Sequence, residues 1–179
     1  MRWQDINREI VTRLGGNSAL ADERPFVYID SGKQCLHMVD IDEESSYSYP
    51  VSTAKNGMGN RVDSYKTPLG IHRIRQKIGG GQPKGMVFEA RQATGKIADD
   101  LDTRNKDEIT SRILWLDGLE EGVNRNGDCD SFARYIYIHG TSDEKRIGEP
   151  VSAGCIRMRN DDAIELFDEV LVNDLVLIV

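Results

Sequence analysis

HGTSDEKRIGEPVSAGCIRM, residues 139–158, joins a histidine to a cysteine across a polar excursion, and its reading decides the rest of the chain. Just upstream, RYIYI (134–138) is rich in aromatic and β-branched residues, so it reads as an anchored strand delivering His139 to a sheet rim. Gly148 and Pro150 can turn the intervening loop back on itself, which would return Cys155 to His139. Taken alone, Cys155 is a buried small hydrophobe, half of a disulfide, a metal ligand or a nucleophile. An adjacent imidazole favours the last, because it can take the thiol proton. Gly154 permits torsions that other residues resist, so the Gly154 and Cys155 N–H groups are expected to point at one spot as an oxyanion hole.

Composition narrows the alternatives. A chain of 179 residues suits one domain with a sizeable core. With 30 acidic against 23 basic residues the net charge is -7, and the bases are scattered. That is the wrong sign for a phosphate-backbone binder, so no nucleic-acid partner is expected. The first 25 residues hold no apolar run of signal-peptide or membrane-span length. The expectation is therefore a cytoplasmic protein without a membrane partner; the alternative is a periplasmic one whose leader has been removed. Three cysteines without a CxxC pair suggest neither a disulfide framework nor a zinc knuckle, and no metal or cofactor is expected.

The periodicity points to a mainly β fold. Trp3, Ile6, Ile10, Val11 and Leu14 mark one face of an opening helix, stopped by Gly15-Gly16, that is expected to pack outside a sheet. Strand candidates follow as FVYID and CLHMVD, a hairpin around SGKQ, then SYSYPVST (46–53), LGIHRI (69–74), GMVFEA (85–90), ILWLD (113–117), RYIYIHG (134–140) and LVLIV (175–179). DDAIELFDEVL (161–171) carries an apolar stripe of Ala163, Leu166, Phe167, Val170 and Leu171, with Asn160 as the expected N-cap. KIGGGQPKG (77–85) lacks the lysine and hydroxyl of a phosphate loop and reads as a mobile turn. The polar stretch 95–112 is either a lid over a site or a solvated excursion.

HGT at 139–141, twelve residues between His139 and Ser152, SAGCIRM, and then NDDAIELF together resemble the signature of the L,D-transpeptidases, the YkuD-type domain. VSTAKNG (51–57) and KTPLGIHRI (66–74) are similar to two further segments of that family, in the same order. The resemblance implies a β-rich, sandwich-like domain over residues 25–179, with 1–24 as N-terminal helix and linker and a second helix after the cysteine. It implies that Cys155 is the nucleophile, attacking the carbonyl of the third stem-peptide residue of peptidoglycan, and that His139 is the general base that later protonates the leaving D-Ala nitrogen. Gly140 matches the position whose carbonyl orients that imidazole. Arg157 and Ser152 match the arginine and hydroxyl residue flanking the cysteine; Arg157 either holds a substrate carboxylate or pins the loop, and Ser152 bonds the turn. Thr141 belongs with them as substrate contact or loop support. The chain departs from the family at Ala153, where a histidine is usual, which puts borrowed details of acceptor binding in doubt.

His37 and His72 are expected to be packing or surface positions, and Cys35 and Cys129 unreactive. With no leader in view, the resemblance favours an L,D-carboxypeptidase that trims tetrapeptides to tripeptides during murein recycling. The alternatives are a cross-linking or D-amino-acid-exchanging transpeptidase and a non-catalytic peptidoglycan-binding module.

Overall fold

The computed structural model describes residues 2–15, 25–40, 45–98 and 108–179. Among the described residues ten strands join in one mixed sheet, flanked by two α-helices. In chain order the strands are β1 (Phe26–Asp30), β2 (Cys35–Asp40), β3 (Ser45–Pro50), β4 (Gly70–Ile78), β5 (Met86–Glu89), β6 (Gln92–Ile97), β7 (Ile109–Gly118), β8 (Tyr137–Thr141), β9 (Ile156–Met158) and β10 (Leu175–Ile178). The sheet runs β3-β2-β1-β10-β4-β7-β5-β6, and β8 with β9 attaches to β7. The mainly β expectation holds.

Burial explains why the apolar runs become central strands. β7 is buried along nearly its whole length, with β4 and β5 on one edge and β8 on the other, and its ILWL segment (113–116) shows an unbroken apolar run instead of alternation. Val27, Ile29, Leu36, Ile74, Leu114, Leu116, Ile138, Ile156, Met158 and Ile178 turn inward to one core. The second helix, α2 (Asn160–Glu169), closes that core with Ala163, Leu166 and Phe167. On the opposite face α1 (Trp3–Arg13) lays Ile6 and Ile10 over Phe26, Tyr28, Ile71 and Leu177, as its 3.6-residue spacing predicts. Burying two isoleucines there contributes about 3–6 kcal/mol before ordering costs.

Several local expectations are corrected. β3 ends at Pro50, and residues 51–54 leave the sheet to bridge the cysteine turn: Ser52 pairs Arg157 and Ala54 pairs Ser152. Arg134 and Tyr135 belong to a turn before β8, where Tyr135 has φ 57. The polar stretch from 95 is partly sheet, because Gln92–Ile97 returns antiparallel on β5 and Ile109 already begins β7; the lid expectation falls on 99–107, outside the described residues. Asn160 is the first residue of α2, not its N-cap, and its side chain is buried in a separate network. Leu171 is exposed beyond the helix end.

Candidate active site

The register of β8 and β9 carries the site. These strands run parallel with Ile138 opposite Ile156 and His139 opposite Arg157, so Cys155, one step earlier, lies beside Tyr137. Side chains alternate, which places Ile138 and Ile156 in the core and Tyr137, His139, Cys155 and Arg157 on the other face. A strand spacing of ~4.8 Å and a two-residue offset of ~6.6 Å put the Cα atoms of His139 and Cys155 about 8 Å apart. Sequence neighbours they are not, but the ladder makes them diagonal neighbours. Cys155 is half-buried against Met86, Phe88, Ile113, Trp115 and Tyr137, and its thiol donates to the Tyr135 carbonyl at 3.5 Å.

His139 is buried, and its Nδ1 lies 2.7 Å from the carbonyl oxygen of Gly140. A carbonyl only accepts, so Nδ1 carries the proton and Nε2 holds the lone pair. Gly140 is required for a second reason: a Cβ there would stand 2.7 Å from both Thr110 O and Asn160 Oδ1. Asn160 accepts from the hydroxyls of Thr110 at 2.6 Å and Ser111 at 2.5 Å and donates to Thr141 O at 3.0 Å and Glu144 Oε1 at 2.7 Å. One buried amide thus ties β7, the end of β8 and the start of α2 around the histidine.

The turn carrying Cys155 is fastened by hydroxyls. Ser152 Oγ donates to Cys155 O at 2.6 Å and accepts from the Gly154 N–H at 3.2 Å. Gly154 has φ 136, a conformation that L side chains resist, so glycine is demanded. The Gly154 N–H is committed to Ser152, however, so the expected pair of amides aimed at one spot is not what the turn presents; the short span to Ser152 pulls the first of them inward. Thr67, of the TPLG segment, donates to Gly154 O at 2.9 Å and accepts from Ala54 N–H at 2.9 Å, linking VSTA to the cysteine turn through one buried hydroxyl. Gly70 of the same segment has φ 102 and no room for a Cβ against Glu120 and Asn124. The separate sequence motifs therefore meet in one place.

Arg157 is buried, with its guanidinium on Val151 O at 3.3 Å and its backbone paired to Ser52, an arrangement of loop support. Thr141 is likewise internal, accepting from Asp143 N–H at 3.1 Å. Ala153 is exposed. His37 packs on Trp3 and bonds Ser48 at 2.8 Å, and His72 is fully buried between Gly70 O and Ser131 Oγ, so neither approaches the cysteine turn. Cys35 and Cys129 are free thiols; burial pushes Cys35 up, and Cys129 donates to Asn126 O at 3.1 Å. Among the described residues no group of three or more His, Cys, Asp or Glu side chains forms a metal site.

The sequence reading takes 134–138 as strand and gives Phe132, Arg134 and Tyr135 no part in the site. Arg134 donates to Asn60 O at 2.8 Å and Lys66 O at 2.7 Å, holding the loop that covers the cysteine turn. Burial lowers its guanidinium from the usual value, and the thiols of Cys129 and Cys155 oppose that, which places a fixed cation within electrostatic range of the Cys155 thiol. Trp115 stacks on Phe132 at 4.1 Å and meets Tyr137 edge-on at 5.5 Å, forming an aromatic wall beside Cys155. The only sequence signal for this wall was the density of aromatics in FARYIY.

Residues 24–178 match the family model of the L,D-transpeptidase catalytic domain, YkuD. The chain belongs to this family. It is 51% identical over 45 residues to a putative L,D-transpeptidase, YqjB, of Bacillus subtilis, a match covering 25% of this chain and 26% of the relative. Its fold is similar to that of an L,D-transpeptidase from Mycobacterium tuberculosis (TM-score 0.54, 13% identity, 87% of this chain and 57% of that one). It is also similar to Bd1075 of Bdellovibrio bacteriovorus (TM-score 0.53, 17% identity, 88% and 48%). The chain therefore spans about half the length of these solved relatives and about a quarter of the curated one.

Proposed function

We propose that this chain is a cysteine-dependent peptidoglycan enzyme that forms an acyl-thioester at the L-centre of the third stem residue and releases the terminal D-amino acid. The observation that carries the reading is the pairing of a buried imidazole, proton-locked by Gly140 O, with Cys155 on the same sheet face. His139 Nε2 takes the thiol proton as sulfur attacks the carbonyl carbon. The C–N bond then breaks, the imidazolium returns that proton to the leaving nitrogen, and the acyl group stays on sulfur. In the second half water attacks the thioester, gives its proton to Nε2, and the C–S bond breaks. With the Gly154 N–H held by Ser152, the oxyanion role of the turn is assigned to the Cys155 N–H. The fixed charge of Arg134 favours the thiolate.

Hydrolysis, an L,D-carboxypeptidase activity in the cytoplasm, is the proposed outcome because water needs no bound acceptor amine, whereas cross-linking does. Incubation with disaccharide-tetrapeptide and free tetrapeptide, read by mass, is expected to give tripeptide and free D-Ala. Cross-linked dimers or D-amino-acid exchange without tripeptide would overturn hydrolysis in favour of transpeptidation. Binding without any acyl adduct on Cys155 would mean a non-catalytic module.

A further inference from the structure

The tip of the β5–β6 hairpin is built at a conformational cost. Glu89 pairs with Gln92, leaving Ala90 and Arg91 as a two-residue loop with φ 47 and 68. Such a turn favours Asn and Gly, since other side chains resist positive φ. The chain instead puts an arginine there.

The strained turn folds that arginine back over the wall beside the nucleophile. Its guanidinium carbon lies 4.9 Å from the Trp115 ring centroid and 5.1 Å from that of Tyr135, and Nη1 donates to the Tyr137 hydroxyl at 3.3 Å. Tyr137 connects the two sites electrostatically: burial pushes its phenol up, Arg91 pulls it down, and Cys155 pushes it up again. Among the described residues no carboxylate pairs with Arg91, although acids outnumber bases in the chain. A guanidinium has five N–H donors in a fixed fork, and a flat aromatic seat leaves its edge directed outward. Strain at a surface turn, a π-stacked cation and a shared tyrosine thus converge beside a reactive thiol.

We propose that Arg91 is a specificity-determining residue that binds a carboxylate of the peptide acylating Cys155. This rests on the stem-peptide reading above. Two carboxylates could supply the charge: that on the side chain of the third residue, present in diaminopimelate and absent in lysine, and that of the terminal D-residue.

The experiment uses four tetrapeptides, with diaminopimelate or lysine at position three and with D-Ala or its amide at the end, against wild type, Arg91→Gly and Arg91→Lys. Glycine suits the positive φ, so Arg91→Gly is expected to fold with an unchanged melting temperature. The wild type should prefer one acid over its neutral counterpart, and in Arg91→Gly that preference in kcat/KM should fall by about tenfold, the scale of one charge-assisted hydrogen bond, mainly through KM. Arg91→Lys should restore part of it. Collapse of the diaminopimelate-over-lysine ratio identifies the side-chain carboxylate; collapse of the acid-over-amide ratio identifies the terminal one. Wild-type turnover with both ratios unaltered in Arg91→Gly overturns this inference alone. No acyl-enzyme from any of the four peptides in the wild type overturns the functional reading, and this one with it.

Discussion

Acidification is expected to unfasten the aromatic wall beside Cys155 through His72. The imidazole is fully buried, with Nδ1 3.0 Å from Gly70 O and Nε2 2.9 Å from Ser131 Oγ, and burial pushes it down to about 4 from an ordinary 6.5. Glu120 and Asp117 pull the other way and Arg134 reinforces the drop, but desolvation dominates. As pH falls the unfolded chain binds this proton first. The contribution is therefore complete above about 6.5 and is lost progressively down to about 4. The gap between 6.5 and about 4 corresponds to about 3 kcal/mol, of which about 2 kcal/mol has gone by pH 5. Against a total stability of about 5–15 kcal/mol this is a large fraction. The assay is urea unfolding from pH 7 to pH 4 of wild type and His72→Gln, a variant that cannot titrate at this site. Surface carboxylates cancel in the difference, so the wild type should lose about 3 kcal/mol relative to the variant. Because Ser131 opens the turn bearing Arg134 and Tyr135, turnover through this group should fall only as pH approaches 4, where the folded imidazole itself gains the proton. Parallel pH profiles for the two proteins, or a proton-NMR titration of His72 centred near 6.5, would refute the reasoning.

Replacing Cys155 by Ala should abolish the acyl adduct seen by intact mass while leaving the melting temperature nearly unchanged, and His139→Gln should cost about 10²–10⁴ in turnover. Gly140→Ala drives a methyl into Thr110 O and Asn160 Oδ1, at about 1–3 kcal/mol, and displaces the carbonyl that orients His139; calorimetry and kcat should both fall. Thr67→Val strands the Ala54 N–H and the Gly154 carbonyl at about 1–3 kcal/mol, measurable by chemical denaturation, and Thr67→Ser should recover most of it. Iodoacetamide at neutral pH should label Cys155 ahead of Cys35, whose thiol burial pushes up, and ahead of buried Cys129; equal rates would count against an activated thiolate.

Much of the fold was legible because its signals are local. A 3.6-residue stripe marks α1, alternating or unbroken β-branched runs mark the strands, and Asp161-Asp162 mark the start of α2. β6 was not legible: QATGKI has a glycine, three polar residues and little buried surface, and only its pairing with β5 makes it a strand. The role of Asn160 escaped for a similar reason, since an asparagine before two aspartates has the pattern of a cap, while its partners Thr110, Ser111 and Thr141 come from distant strands.

The sequence by itself determined a mainly β chain and singled out His139 and Cys155 as the proposed reacting pair, because strand periodicity and a Gly-Cys turn are written in neighbouring residues. Tertiary structure alone decided the rest. The parallel register of β8 and β9 put Cys155 on the face of His139, and the Thr67 hydroxyl joined three motifs that the chain keeps far apart. It also turned Arg157 inward, set Arg134 within electrostatic range of the Cys155 thiol and laid Arg91 over the aromatic wall of Trp115 and Tyr135. Charge and hydrogen-bond partners act through space over a few ångströms, and no spacing along the chain records which distant residue will fill that distance.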